Sequence, residues 1–161
     1  MVRVRVGALL AADGGVCLIR RERPDGVQYS LPGGLVEAGE DAFTALHREL
    51  REELGLNAAT APEAPALRWV QDQATTRPGR DGVFRRRHLV FLLHLPPSAR
   101  EGLATVELDA TDRAAVVWCD PLRAAGLHLY PAVGSVLAPG AAARTRPVLL
   151  PPMTDTTYRW R

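Results

Sequence analysis

The sequence predicts an α/β protein built on a mixed β-sheet with helices on both faces. Three features support this prediction. The amino-terminal residues alternate between Val and Arg, as in a half-buried strand, and residues 41–54 have the spacing of an amphipathic helix. Further strand-like and short helical segments follow in alternation, which is typical of a sheet covered on both faces. With 161 residues, 47% of them hydrophobic, we expect one domain over residues 1–161.

The segments before the helix predict a hairpin followed by a sharp bend. Residues 2–12 form the first predicted strand, and residues 16–21 form the second. The turn sequence Asp13-Gly14-Gly15 joins them, so the two strands are expected to pair. A short extended segment at 28–31 then leads into Pro32-Gly33-Gly34, where the chain must change direction.

Residues 41–54 carry the strongest helix signals in the chain. Asp41 is suited to cap the first turn, and Gly55 ends the helix after Leu54. The segments that follow are shorter. They are predicted as a linker at 58–66, strands at 67–72, 83–95 and 114–119, short helices at 121–125 and 131–138, and a proline-rich tail from residue 139 with no assignment.

Composition excludes several classes of function. No segment has the roughly 18 to 20 apolar residues of a membrane span, so no membrane association is expected. Cys17 and Cys119 lie in apolar segments and are interpreted as free thiols in a reducing cytoplasm, although one disulfide is arithmetically possible. A net charge of +2 is too small to predict nucleic-acid binding.

All 20 basic residues are arginine, and the chain has no lysine. Cationic side-chain contacts to phosphate must therefore come from guanidinium groups, which can contact two oxygens at once. Mechanisms that need a P-loop lysine or a Schiff-base lysine are excluded.

Three glutamates lie together near the end of the predicted helix. Glu49, Glu52 and Glu53 are three or four residues apart, which brings like charges into contact. Negative charge is also disfavoured at a helix C-terminus. A divalent cation held by carboxylate oxygens would offset these costs. The alternative is a solvated acidic face neutralised by Arg48 and Arg51.

The whole segment from Gly34 to Leu56 resembles the Nudix box. That motif is a glycine, five residues, a glutamate, seven residues, and then Arg-Glu-aliphatic-any-Glu-Glu-any-Gly-aliphatic. The matching positions are Gly34, Glu40, Arg48, Glu49, Leu50, Glu52, Glu53, Gly55 and Leu56. The resemblance implies an α/β/α sandwich with a mixed β-sheet, the Nudix fold, and hydrolysis that depends on Mg²⁺, with Mn²⁺ as a substitute.

The resemblance also implies roles for individual residues. Glu49, Glu52 and Glu53 are the expected metal ligands, with the backbone carbonyl of Gly33 completing the site. Arg48 is expected to position the glutamates within the catalytic set. The general base is expected to be Glu52 or Glu53, and an acid from a downstream loop is the alternative. The downstream candidates are Glu101, Glu107, Asp109 and Asp112.

The implied reaction is cleavage of a phosphoanhydride bond in a nucleoside diphosphate linked to another moiety. The candidates are nucleoside triphosphates, oxidised deoxynucleoside triphosphates, ADP-ribose and nucleotide sugars. The main alternative is a catalytically silent Nudix-like domain that binds nucleotides or regulates. An isoprenoid diphosphate isomerase is a weaker alternative, because that chemistry needs a cysteine and both cysteines lie in predicted core strands. A homodimer is possible.

Residues that bind the substrate are harder to assign. Arg85 and Arg87 share one face of a predicted strand and could hold a terminal phosphate, or they could be solvated charges at a strand end. Arg5 is a similar candidate, as are Arg3 and Arg20. Tyr29 could stack on a base or pack in the core. The three tryptophans, Trp69, Trp118 and Trp160, are interpreted as structural.

Overall fold

The computed structural model describes residues 1–108, 114–138 and 147–160. Within these residues the chain forms nine strands, three α-helices and two short 3-10 helices. They are β1 (Arg3–Ala12), β2 (Gly15–Arg23), β3 (Gly26–Ser30), α1 (Ala42–Leu54), a 3-10 helix (Ala58–Thr60), β4 (Ala66–Arg77), β5 (Arg80–His94), α2 (Pro97–Glu101), β6 (Ala115–Cys119), α3 (Pro121–Ala125), β7 (Leu129–Tyr130), a 3-10 helix (Gly134–Leu137), β8 (Val148–Leu149) and β9 (Met153–Thr154).

All nine of these strands belong to one mixed sheet. The order is β7-β3-β2-β1-β5-β4-β8, with β6 added to β2 and β9 to β4. The predicted β1–β2 hairpin is confirmed, with Ala11 opposite Val16. At the centre, β1 runs parallel to β5 over nine residue pairs. This pairing places the arginines of the two strands side by side, because Arg5 lies opposite His88 and Arg3 opposite Arg86.

Helix α1 begins and ends where the sequence predicts. The Asp41 side chain accepts a hydrogen bond of 2.8 Å from the backbone N–H of Thr44. Gly55 adopts the left-handed conformation, with φ of 69°, and its N–H donates back to the last turn. The three leucines on the apolar side of α1 are fully buried against β1 and β5, whereas Phe43 is half-exposed and packs edge-on against Phe91. The core residues that meet there are Val6, Ala8, Leu10, Leu46, Leu50, Leu54, Phe91 and Leu93.

The opposite face of the sheet is covered by α3 and the second 3-10 helix, which confirms the predicted fold class. Leu9, Leu18 and Val90 lie in that core with Val133 and Val136. The short helical segment predicted at 131–138 is present as a 3-10 helix over Gly134–Leu137, and it does not extend into an α-helix. Two residues explain this. Pro131 and Gly134 are poor helix formers, and the backbone of Gly134 lies against the Ala125 carbonyl, where an added Cβ would be only 2.7 Å away.

The carboxyl-terminal tail, which the sequence left without assignment, is part of the sheet. β8 and β9 both pair in parallel with β4. Asp155 accepts hydrogen bonds from the backbone N–H of Thr76 at 2.7 Å and from its hydroxyl at 3.1 Å. The indole N–H of Trp160 donates to the Thr75 hydroxyl at 3.1 Å. In the described ranges, no helix is long and apolar enough to cross a membrane.

Candidate active site

The loop before α1 passes very close to β1, and Gly33 makes this possible. Its φ is +136°, and a Cβ at this position would lie 2.3 Å from the Val6 carbonyl oxygen. Only glycine fits both the conformation and the space. The Gly33 N–H donates to the Glu53 carboxylate at 2.6 Å, while its carbonyl accepts a hydrogen bond from the Arg5 guanidinium. The backbone of one residue thus contacts both an acid and a cation.

Gly34 leaves room for the carboxylate of Glu49. A Cβ on Gly34 would lie 2.0 Å from Glu49 Oε1, so any larger residue would displace that side chain. Glu49 is half-buried, and this burial raises its carboxyl pKa, while Arg48 acts in the opposite direction. The carboxylate is therefore held in a partly desolvated position at the wall of the cleft.

Glu53 is the most buried acid of the box, with 5% of its surface exposed. Burial, and then the adjoining Glu107 carboxyl, raise the pKa of Glu53 to about 9. Glu107 is also buried and forms an ion pair with Arg21. The loop that carries Glu107 is attached to α1, because the Leu108 N–H donates to the Glu53 backbone carbonyl at 2.9 Å.

The structure thus brings one downstream acid, Glu107, to the predicted site. Glu101 does not reach it, since it lines a separate cavity beside Trp118. Asp109 and Asp112 lie outside the described residues. The sequence could not choose among these four acids, because the choice depends on how the loop before β6 packs against α1.

Arg48 connects the glutamates of the box to one another. Its Nε donates to Glu40 at 2.9 Å, and its Nη1 donates to Glu49 at 2.8 Å and to Glu52 at 3.1 Å. Its Nη2 donates to the Leu35 carbonyl at 3.0 Å. These bonds, that to Glu40 above all, raise the pKa of the Arg48 guanidinium. The arginine has the contacts of a positioning residue and does not line the cleft.

The three predicted glutamate ligands do not converge. Glu49 and Glu53 line the cleft with Gly33, whereas the Glu52 side chain is 45% exposed and bonds only to Arg48. Across the part of the chain that the structure describes, no three His, Cys, Asp or Glu side chains are grouped so as to hold a metal. The cleft still offers two carboxylates and one backbone carbonyl. These hard oxygen donors suit Mg²⁺ or Mn²⁺. The Gly33 carbonyl already contacts a positive group, because it accepts a hydrogen bond from the Arg5 guanidinium.

The cleft has a volume of about 600 Å³, and much of its lining was missed from the sequence. Arg5, one of the arginines predicted as a substrate-binding candidate, lines it. The lining residues not predicted are mostly cationic or aromatic: Arg21, Arg23, Arg77, Arg80, Tyr130 and Trp160. Trp160, which the sequence predicts to be structural, lines the cleft. No pattern in the sequence indicates that the tail returns to the cleft.

Arg85, Arg87 and Tyr29 do not line the cleft, which corrects their predicted placement. Arg87 pairs with Asp72 at 2.7 and 2.9 Å, and Arg85 is exposed. On the other face of β5, Arg86 donates to the Tyr130 hydroxyl at 3.0 Å. Tyr130 lines the cleft but Arg86 does not, so neither face of β5 lines the cleft at residues 85–87.

Tyr29 packs against the apolar core on the side of α3. Its strand neighbours Gln28 and Ser30 line the cleft instead. Side chains alternate along a strand, so a tyrosine between two cleft residues must point the other way. Cys17 and Cys119 are both free, as expected.

The model of the NUDIX domain family matches residues 1–136, which is most of the chain. The chain belongs to the NUDIX family. Its Nudix box is the loop and helix that hold Gly33, Glu49 and Glu53 around the cleft. The match ends before the tail strands β8 and β9 and before Trp160.

Two curated proteins are similar to this chain over part of its length. An RNA pyrophosphohydrolase of Halorhodospira halophila is 39% identical over 98 residues, covering 58% of this chain and 53% of its own. The nucleoside triphosphatase NudI of Escherichia coli is 34% identical over 95 residues, covering 56% of this chain and 65% of its own. The chain thus spans about half to two thirds of the length of these relatives.

Solved structures share the Nudix fold. The MutT protein from Bacillus halodurans superposes with a TM-score of 0.66 at 15% identity, over 92% of this chain and 87% of its own. The MutT NUDIX hydrolase from Burkholderia pseudomallei has a TM-score of 0.54 at 29% identity, over 75% of this chain and 84% of its own. At 15% identity, the similarity to the Bacillus halodurans protein shows a shared fold only.

Proposed function

We propose that this chain is a Mg²⁺-dependent hydrolase that cleaves a phosphoanhydride bond in a small nucleotide. The observation that carries the proposal is the position of the complete Nudix box. Its Glu49 and Glu53 carboxylates share a cleft with the Gly33 carbonyl and with a set of arginines. Acidic oxygens for a cation and guanidinium groups for phosphate are the two halves of a phosphoryl-transfer site.

Glu49, Glu53 and the Gly33 carbonyl are the groups that would hold the divalent cation, with Glu52 at the rim. Mn²⁺ could replace Mg²⁺, since both take carboxylate and carbonyl oxygens. The chemistry supplied by the bound cation is neutralisation of phosphate charge and activation of a water molecule.

The chain itself supplies positioning and proton transfer. Arg48 holds Glu49 and Glu52 in place, and Gly33 fixes Glu53 through its N–H. We assign the general base to Glu53 rather than Glu52, because Glu53 faces the cleft. Burial and Glu107 raise its pKa, so the Glu53 carboxylate would be a strong proton acceptor once ionised, as it would be while holding the cation. A proton taken up on a Glu53 carboxylate oxygen can be shared with Glu107.

The substrate class follows from the charge of the cleft and from the relatives. Because arginines line it, a substrate rich in phosphate is favoured. The names of the two relatives point to RNA and to nucleoside triphosphates. We favour the free nucleotide. We also propose that residues 1–161 act as one domain, because the tail strands complete the same sheet. The two free cysteines favour a reducing cytoplasm as its location.

The test is a hydrolysis assay across nucleoside triphosphates, oxidised deoxynucleoside triphosphates, ADP-ribose and nucleotide sugars, with Mg²⁺, Mn²⁺ or EDTA. We expect turnover of at least one substrate class that needs the metal and falls at least about 100-fold in Glu53→Gln. Glu101→Gln, in a separate cavity, is the matched control and should retain full activity. Failure to turn over any substrate, with nucleotide binding retained, would support the silent binding domain instead.

A further inference from the structure

One wall of the cleft comes from the β4–β5 hairpin and the carboxyl-terminal tail, and it is strongly cationic. Arg77 lies in a corner between two aromatic rings, 3.7 Å from the Phe84 centroid and 4.0 Å from that of Trp160. These rings are 5.9 Å apart and nearly perpendicular, at 83°. The guanidinium is therefore fixed by the two rings, and its polar neighbour is the Tyr130 hydroxyl.

The positive charge on this wall is not neutralised by the described residues. Arg77, which lines the wall, and Arg86, which donates to the lining residue Tyr130, form no ion pair with a carboxylate among the described residues, and the Nε of each is buried without a hydrogen-bond partner. Burial and neighbouring arginines, Arg80 beside Arg77 and Arg5 beside Arg86, lower the pKa of both guanidinium groups. Like charges crowded in a partly desolvated place need an anion to offset them.

The wall depends on the tail, which lies beyond the NUDIX match at residues 1–136. Trp160 is held by its bond to Thr75, and the Tyr158 hydroxyl accepts a hydrogen bond from Gln28 at 3.0 Å. Trp160, which forms one side of the corner around Arg77, thus lies outside the residues that the family model matches. Residues of this kind are suited to distinguish one substrate from another.

We propose that Arg77, in the corner of Phe84 and Trp160, forms with Arg80 and Arg5 a subsite for the free terminal phosphate of the substrate. This inference rests on the proposed function and narrows it. Substrates with a terminal phosphate, such as nucleoside triphosphates, are favoured over nucleotides joined to an uncharged sugar. A neutral nucleobase would leave the charge of the wall uncompensated, whereas phosphate oxygens match the paired N–H donors of a fixed guanidinium.

Binding can be measured without catalysis, by titrating inorganic tripolyphosphate in EDTA and following tryptophan fluorescence. We expect quenching that disappears in Trp160→Phe, and a Kd at least about tenfold weaker in Arg77→Gln. Arg85→Gln is the matched control, because this arginine is exposed and lies outside the cleft. If Arg77→Gln does not fold, Arg80→Gln, on the exposed turn of the hairpin, replaces it, and its Kd for tripolyphosphate should likewise be weaker than that of the wild type. Equal affinities in the cleft variants and in Arg85→Gln would overturn the proposal.

Kinetics separates this inference from the proposed function. We expect kcat/KM for a nucleoside triphosphate to fall at least about tenfold in Arg77→Gln, mainly through KM, while kcat/KM for a nucleotide sugar changes less than about twofold. Hydrolysis that drops equally for both substrates would contradict the subsite and leave the hydrolase assignment intact. Tripolyphosphate binding that needs Arg77, in a protein that hydrolyses nothing, would refute the hydrolase and retain the anion site.

Discussion

Two adjacent glycines allow the fold and the active site to be perturbed separately. At Gly33, a new Cβ would meet the backbone of β1, 2.3 Å from the Val6 carbonyl oxygen, in a conformation with φ of +136°. At Gly34, the new Cβ would meet only the end of a flexible side chain, 2.0 Å from Glu49 Oε1. Gly33→Ala should therefore damage the fold, and Gly34→Ala should damage the site.

The magnitudes follow from these contacts. Gly33→Ala adds backbone strain of about 1–3 kcal/mol and overpacking of about 1–3 kcal/mol against a rigid strand. A loss of about 3 kcal/mol in the free energy of unfolding lowers the Tm by roughly 6–12 °C for a chain of this length. In Gly34→Ala, restoring an ordinary contact of 3.4 Å requires the carboxylate to move by about 1.4 Å, since 3.4 − 2.0 = 1.4. Misplacing a catalytic group by about 1 Å can cost 100-fold in rate.

The assay pairs calorimetric unfolding with steady-state hydrolysis of the substrate found for the wild type. Gly34→Ala should keep its Tm within about 3 °C and lose at least about 100-fold in kcat. Gly33→Ala should lose both stability and activity. If Gly34→Ala is fully active, then the position of Glu49 against Gly34 is not needed for catalysis, and the account of the site is wrong.

Three further predictions concern Arg48, His88 and the thiols. Arg48→Gln breaks the bonds to the box glutamates and should cost about 2 kcal/mol in unfolding free energy and more than tenfold in kcat, whereas exposed Arg51→Gln should change neither. Burial lowers the pKa of His88 to about 3, so its contribution to stability is complete above the unfolded pKa of about 6.5 and is lost as the pH falls towards 3. The free energy of unfolding, measured from pH 7 down to pH 3, should fall by up to about 1.4 kcal/mol per pH unit in the wild type, and His88→Gln should lack this contribution. Parallel pH profiles for the two proteins would show that His88 does not cause the acid destabilisation. Burial raises the pKa of the Cys17 thiol to about 12, so in the native protein iodoacetamide should modify Cys119 first, and prompt labelling of Cys17 would show that it is accessible.

Local sequence signals were enough to predict most of the fold. The first hairpin depends on a turn sequence, and α1 depends on a capping aspartate and a terminal glycine, so each is determined by neighbouring residues. β8 and β9 were missed because they are two residues long and gain their pairing only from β4, about 80 residues earlier. No periodicity can be detected in so short a segment.

Only one half of the site could be predicted from local sequence signals. The acidic half lies within one continuous motif, so Glu49, Glu53 and Gly33 could be named from the sequence, and the structure brings all three to the cleft. The cationic half is assembled from β1, β2 and the β4–β5 hairpin, with Trp160 of the tail beside it. Which arginines of the hairpin meet the cleft depends on how β5 pairs with β1 and on where the tail lies, and neither can be predicted from the alternation of side chains. This explains why the sequence indicates Arg85 and Arg87, whereas Arg77 and Arg80 line the cleft.

Calorimetric titration of the purified chain with Mg²⁺ tests the central claim most directly. The wild type should bind the ion saturably, and the double substitution of Glu49 and Glu53 by Gln should abolish the heat of binding while leaving the Tm intact. Unchanged binding after that double substitution, or no binding by the wild type with or without a non-hydrolysable nucleotide, would show that these two carboxylates are not a metal site.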